Sequence, residues 1–175
     1  MRGGSHTPFS SVPRTGNLTA FSGWSEHVSE KTLVIVDLDG TLADGNHRLH
    51  HIHPKETRNW DKFYEECSLD TPHTDVIELV RALRDYGMTV IILTGRREET
   101  RKETQQWLAH YGIPYEILIM RPKGNHEDDH KWKPGVLATL GGPANVLMVI
   151  EDRNRIVVTL REQGYRVLQV ADGDF

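Results

Sequence analysis

The sequence predicts an α/β fold, a Rossmann-like parallel sheet with helices on both faces. Three observations lead to it. Short runs of β-branched and aliphatic residues, such as Leu33 to Val36, read as strands buried on both sides. Stretches with helical apolar spacing separate these runs, so strand and helix alternate along the chain. Polar and charged residues stand directly behind the strands. Right-handed crossovers bring such strand ends to one edge, where open sheets bind ligands.

Taken in order, residues 1–31 are rich in Gly, Ser, Thr and Pro and lack periodicity, which predicts a flexible N-terminal arm. Residues 32–175 then form one domain. Its first strand, Leu33 to Val36, ends in Asp37-Leu38-Asp39-Gly40-Thr41. A mixed-charge interval follows, about residues 44–73, too long for an ordinary βα connection and placed where excursions tend to be functional. It predicts a small cap insertion, with Trp60, Phe63 and Tyr64 as an aromatic stripe of a short helix that anchors the cap. Asp75 to Tyr86 predicts a helix with Val76, Leu79, Val80 and Leu83 on its apolar face and Gly87 as its stop.

A second buried-type strand spans Met88 to Leu93 and ends in Thr94-Gly95-Arg96, before a helix over Glu98 to Tyr111. A strand near Tyr115 to Met120 leads through a loop to a short helix after Lys133, with Pro134 in its first turn. A strand at Val146 to Ile150 ends in Glu151-Asp152. A helix from Asn154 to Gln163 and a strand at Arg166 to Val170 complete the series. Four strand ends or following loops thus carry Asp37 and Asp39, Thr94 and Arg96, Asp128, Asp129 and Lys133, and Glu151 and Asp152. Scattered surface charge has no reason to collect at one edge.

Composition narrows the function classes. A chain of 175 residues suits one domain with a substantial core. The net charge of −4 advertises no global basic field, so a polyanion has to be held by local arginines. The single cysteine, Cys67, excludes an intramolecular disulfide and suits a cytoplasmic location. No apolar run reaches the ~18 residues of a membrane span, and no signal-peptide core is present. His47, His50, His51 and His53 lack the spacing of a zinc site and read as a polar loop.

Two carboxylates at a strand end, two residues apart, can divide labour at one reacting centre. One attacks as a nucleophile while the other moves protons. Hard oxygen ligands of this kind suit Mg²⁺, which also offsets phosphate charge.

The run D-L-D-G-T resembles the first motif of the haloacid dehalogenase (HAD) superfamily, whose phosphatases form an aspartyl-phosphate intermediate. The resemblance implies Asp37 as nucleophile and Asp39 as general acid and base. Thr94, in L-T-G-R, is similar to the second motif, where a hydroxyl and backbone N–H groups such as that of Gly95 hold phosphoryl oxygens. Lys133 resembles the third-motif lysine, with Lys131 as a competing candidate. Glu151 and Asp152 resemble the acidic pair that holds Mg²⁺, together with Asp37 and Asp39.

The ordered set D-L-D-G-T-L-A, Arg48, L-T-G-R, M-R-P-K-G, I-E-D-R and the ending D-G-D-F is similar to the 3′-phosphatase domain of phage-type polynucleotide kinase-phosphatases. The match covers about Lys31 to Phe175. It implies removal of 3′-phosphate from DNA or RNA ends or from nucleoside 3′-monophosphates. Arg48 and Arg96 would then engage phosphate or the substrate backbone, and Asp129, or Asp128 with a one-residue shift, would take the acidic place before Lys133. No P-loop occurs in the sequence, so a 5′-kinase or ligase is expected to be a separate protein. Two other readings share these residues: a small-molecule nucleotidase or general HAD phosphatase, and a non-catalytic module that binds phosphorylated ends.

Overall fold

The computed structural model describes residues 32–173; the expected N-terminal arm and the last two residues of the D-G-D-F ending lie outside the described residues. The chain runs from β1 (Leu33–Val36) into the two-residue strands β2 (Ala43–Asp44) and β3 (Thr71–Pro72), with helix α1 (Trp60–Glu65) between them. Helix α2 (Thr74–Asp85), β4 (Thr89–Arg97), α3 (Arg101–His110) and β5 (Ile117–Arg121) follow. Then come α4 (Asp129–Thr139), the single-turn α5 (Gly142–Asn145), β6 (Val146–Arg153), α6 (Asn154–Glu162) and β7 (Val167–Gly173).

The main sheet has the order β5-β4-β1-β6-β7 and every neighbouring pair is parallel. From β1 the chain steps outward to β4 and β5, then crosses back to β6 and β7. The direction of winding therefore reverses between β1 and β6, which opens a crevice at their carboxyl ends.

Alternation along β1 sorts the core into two layers. Val34 and Val36 pack with Val90 and Ile92 against α2 and α3, through Val76, Ile77, Val80, Trp107 and Leu108. Ile35 packs with Ile91 and Leu93 against α4 and α6, through Trp132, Leu137, Ile156, Val157 and Leu160. A strand clothed on both faces reads as an unbroken apolar run, which is what Leu33 to Val36 shows.

Several elements differ from their sequence reading. In α2 the buried set is Val76, Ile77 and Val80, while Leu79 is 40% exposed. The adjacent pair Val76-Ile77 lies within one apolar face, and that orientation turns Leu79 over its margin. Helix α4 begins at Asp129, not after Lys133, so Lys133 and Pro134 stand in its second turn. The Asp128 carbonyl accepts from Lys131 N–H and Trp132 N–H at 2.9 and 3.0 Å, so the first turn is wound before the proline, and burial of Trp132 holds that turn down. Strands β4 and β6 run beyond their apolar stretches, with register shifts between Thr94 and Arg97 and between Glu151 and Arg153. Such bulges let pairing continue while side chains are re-aimed.

The excursion after β1 is closed at its neck by the antiparallel pairs Ala43–Pro72 and Asp44–Thr71. Short 3₁₀ turns surround α1, whose start is capped by Asn59 Oδ1 accepting from Lys62 N–H at 3.1 Å. The aromatic stripe divides. Phe63 is buried, whereas Trp60 stays 38% exposed. Among the described residues no helix is long and apolar enough to cross a membrane.

Candidate active site

The site is built at the point where the winding reverses. Asp37 follows directly on β1 and its N–H donates to the Ile150 carbonyl at 2.9 Å, which registers it against the end of β6. The next residues curl so that Leu42 and Ala43 N–H both donate to the Leu38 carbonyl at 2.9 Å. Gly40 takes φ +86° in this curl, and a Cβ there would stand 2.2 Å from Asp152 Oδ2. Gly173, at the end of β7, meets the same carboxylate from the other side, with a hypothetical Cβ 2.4 Å from Oδ2. Asp152 is held in a cradle that exists because two glycines lack side chains. Its Oδ1 accepts from the Thr41 hydroxyl at 3.1 Å.

Asp37, Glu151 and Asp152 are all buried, and one carboxylate oxygen of each lies within 4.8 Å of the others. The Lys133 ammonium donates to Asp37 Oδ1 at 2.5 Å and to Glu151 Oε2 at 2.7 Å. Glu151 Oε1 accepts from the N–H groups of Asp152 and Arg153 at 3.3 and 3.2 Å. One ammonium does not balance three carboxylates. Burial and then the Glu151 charge raise the Asp37 carboxyl well above its ordinary range, against the pull of Lys133. Burial and then Asp37 push Asp152 up to about 6. Crowded, underneutralised oxygens of this kind fit a hard divalent cation such as Mg²⁺. On these contacts Asp37 and Asp152 would be the principal holders, because both Glu151 oxygens already have donors.

Asp39 is placed differently. Its carboxylate is not in that acidic group; it faces two arginines. Arg48 Nη2 donates to Asp39 Oδ1 at 2.6 Å, and Arg96 donates to Oδ1 through Nε at 2.9 Å and through Nη2 at 2.7 Å. The same guanidiniums grip Asp70: Arg48 with Nε and Nη2 at 2.7 Å each, and Arg96 with Nη2 at 2.5 Å. Arg48 also donates to the Phe63 carbonyl at 3.2 Å and lies 4.1 Å over the Phe63 ring. Both arginines are fully buried. Burial pushes the Asp39 carboxyl up, but Arg96 and Arg48 outweigh it and hold the group well below the usual carboxylate range. The resemblance implies that Arg48 and Arg96 engage phosphate or the substrate backbone; in the structure their donors face Asp39 and Asp70.

Of the two candidate acids before Lys133, Asp129 turns inward. It accepts from Arg121 Nη2 and, at 2.8 Å, from Arg153 Nη1. Its oxygens sit 2.9 Å from where a Gly95 Cβ would be. Asp128, whose side chain is 63% exposed, stands outside α4 as its N-cap residue. Thr94 is buried, and its Oγ1 accepts the Arg96 N–H at 3.1 Å.

Asp37, Asp39, Gly95, Asp129 and Lys133 thus line one cleft of about 790 Å³, with Thr94, Arg48, Arg96, Glu151 and Asp152 buried around it. Four participants escape a reading of the sequence. Arg121 stands directly behind the apolar run of β5, and Arg153 follows the acidic pair Glu151-Asp152 much as Arg96 follows Thr94-Gly95; those strand-end positions were the available signal. Thr41 lies inside the first motif. Asp70 sits on a turn of the excursion with no pattern around it.

The Polynucleotide kinase PNKP phosphatase domain model matches residues 31–175. The chain belongs to this family. Two solved chains, from the Pnkp1/Rnl/Hen1 complex and the Pnkp1/Rnl/Hen1 RNA repair complex, are each 27% identical to it with TM-scores of 0.69. They match over 98% and 97% of this chain, which spans only 57% and 51% of their own lengths. A haloacid dehalogenase-like hydrolase from Streptococcus pneumoniae shares the fold at 15% identity, TM-score 0.55, over 79% of this chain and 84% of its own. The PNKP-type chain is therefore a phosphatase domain with the HAD fold.

Proposed function

We propose that this PNKP-type domain removes 3′-phosphate from DNA or RNA ends, using Mg²⁺ and an aspartyl-phosphate intermediate. The observation that carries the reading is the pairing of two unlike acids two residues apart. Asp37 is buried beside an ammonium, and Asp39 is clamped by two guanidiniums. An Asp37 oxygen attacks phosphorus as the P–O3′ bond breaks, and the oxygens of the transferring group are met by Lys133 and Thr94 with neighbouring N–H groups. Asp37 and Asp152 would hold Mg²⁺, which would neutralise charge at the phosphoryl group.

Asp39 moves the proton. The arginines keep it ionised at neutral pH, which suits the base that activates water for hydrolysis of the aspartyl-phosphate. To protonate the leaving 3′-oxygen it must first take up a proton, and the negative charge of an entering phosphate raises its affinity for one. The excursion of residues 44–73 serves as the cap in this reading. It is tied to the catalytic edge by Tyr64 Oη donating to the Gly95 carbonyl at 3.3 Å and by Arg48.

Support for a polynucleotide comes from the family and from the cleft. Lys55, Arg58, Arg97, Arg121, Arg153 and Arg155 line it on a protein whose net charge is −4. The similar chains solved in the Pnkp1/Rnl/Hen1 complex, one of them described as an RNA repair complex, support a setting in nucleic-acid repair.

The test is phosphate release with Mg²⁺ from a 3′-phosphorylated oligonucleotide, its 5′-phosphorylated counterpart and free nucleoside 3′- and 5′-monophosphates, with Asp37→Asn as control. A strong preference for the 3′-phosphorylated oligonucleotide is expected. Preference for free 5′-monophosphates would move the protein to a nucleotidase, and release undiminished by Asp37→Asn would end the covalent mechanism.

A further inference from the structure

The aromatic stripe of α1 does less for the core than its spacing suggests. Trp60, Phe63 and Tyr64 all line the catalytic cleft, but Phe63 is buried under Arg48 whereas Trp60, one helical turn from Tyr64, stays partly exposed. The Trp60 and Tyr64 rings are stacked, with centroids 6.0 Å apart and planes 25° from parallel. A guanidinium flanks each: Arg58 lies 5.6 Å from the Trp60 centroid and Arg97 lies 5.0 Å from that of Tyr64. Trp60 nevertheless remains 38% exposed, a large apolar surface left open beside charged groups.

Tyr64 ties this column to the chemistry. Its hydroxyl donates to the Gly95 carbonyl at 3.3 Å, next to Thr94. Burial and then the charges of Asp39 and Asp129 raise its own hydroxyl to about 12, so the phenol stays neutral beside both acids. Arg97 is steadied from the solvent side by Asp61 at 2.8 Å, and Arg58 by donation from Nε to the Ile52 carbonyl at 3.2 Å. These contacts hold the column in place while Trp60, with Arg58 over its ring, stays 38% exposed at the cleft.

We propose that Trp60, backed by Tyr64 and flanked by Arg58 and Arg97, is a nucleobase-stacking subsite for the nucleotide at the 3′ end of the substrate. Every base has a π-face, so such a platform selects for the presence of a base without selecting among bases. The two guanidiniums meet the phosphodiester backbone that leads away from the terminus. A strand end with a splayed terminal base fits this arrangement. A simple phosphomonoester leaves the platform empty. The inference rests on the polynucleotide reading given above.

The experiment compares kcat/KM on two 3′-phosphorylated oligonucleotides, one complete and one abasic at its 3′-terminal residue, for wild type, Trp60→Ala and Trp60→Phe. Loss of the terminal base should lower wild-type kcat/KM about 10-fold or more, mainly through KM, given the usual strength of base–aromatic stacking. Trp60→Ala should cost a similar factor on the complete substrate and far less on the abasic one, and Trp60→Phe should recover most of the loss. Equal losses on both substrates would mean that Trp60 only supports the fold, and would overturn the subsite. So would a wild-type enzyme that acts on both oligonucleotides alike. Failure of the polynucleotide reading looks different: wild type would release no phosphate from either oligonucleotide while still hydrolysing free nucleotides.

Discussion

Asp37 and Asp39 share a strand end but sit in opposite electrostatic surroundings, and single substitutions separate their roles. Asp37→Asn should reduce turnover below about 0.1% of wild type in a phosphate-release assay, because it removes the nucleophile of the proposed mechanism. Asp39→Asn should cost about 10²- to 10⁴-fold, the usual worth of a positioned proton-transfer group. Both variants should keep a wild-type circular-dichroism spectrum. Arg48 discriminates between reading the substrate and holding Asp39. A guanidinium that reaches Asp39, both Asp70 oxygens and the Phe63 carbonyl cannot be copied by one ammonium, so Arg48→Lys leaves some of these groups without donors. Since Arg48 is fully buried, we expect kcat to fall about 10-fold or more with KM nearly unchanged. A rise in KM alone would show contact with substrate instead. The sequence marks both arginines as site candidates. Their targets were hidden because Asp70, the second carboxylate that fixes them, lies 31 residues beyond Asp39 in sequence and belongs to no motif.

At the scale of elements, the turn after β1 and helix α2 make contrasting cases. Gly40→Ala would put a methyl group 2.2 Å from Asp152 Oδ2 at φ +86°, a backbone region that costs an L-residue about 1–2 kcal/mol even in open space. The larger consequence is displacement of Asp152, so the Mg²⁺ concentration for half-maximal activity should rise steeply; an unchanged requirement would show that Asp152 is not a metal holder. In α2, Ile77→Ala should destabilise by about 2–5 kcal/mol in urea unfolding. Leu79→Ala, at 40% exposure, should stay within about 1 kcal/mol. Sequence periodicity found α2 and its Gly87 stop but chose Leu79 in place of Ile77. Both positions lie close to the apolar face, and only the sheet decides which one turns inward. The start of α4 escaped for a related reason: Pro134 reads as a first-turn residue, yet Asp128 winds the helix earlier with backbone acceptance alone, which no side-chain pattern records.

For the molecule as a whole, the parallel sheet and its functional edge were legible because buried strands leave unbroken apolar runs and because the acids and bases stand directly after them. The reversal of winding between β1 and β6 was not legible, since strand order depends on which edges pair and not on any one segment. That reversal concentrates Asp37, Glu151 and Asp152 at one point, and the whole fold bears the cost of holding them ionised together. Asp37, Glu151 and Asp152 all have carboxyls raised above their ordinary values, with Asp152 at about 6. A group whose folded value is raised contributes stability that is fully present below its unfolded value and is lost as pH rises through the folded one. Asp39 works in the opposite direction, because its lowered carboxyl contributes stability above about pH 4 that is lost only in stronger acid. Metal-free protein should therefore be most stable in mildly acidic solution and lose melting temperature between about pH 5 and pH 8. Millimolar Mg²⁺ stabilises the folded state by binding it, and protons compete for the same oxygens. The rise in melting temperature on adding Mg²⁺ should accordingly be larger at pH 8 than at pH 5.5, and Asp152→Asn should reduce both the alkaline loss and the Mg²⁺ gain. Thermal unfolding at the two pH values, with and without Mg²⁺, checks this directly; a Mg²⁺ effect that is equal at both, or larger in acid, would remove the acidic group as the metal-binding centre of the fold.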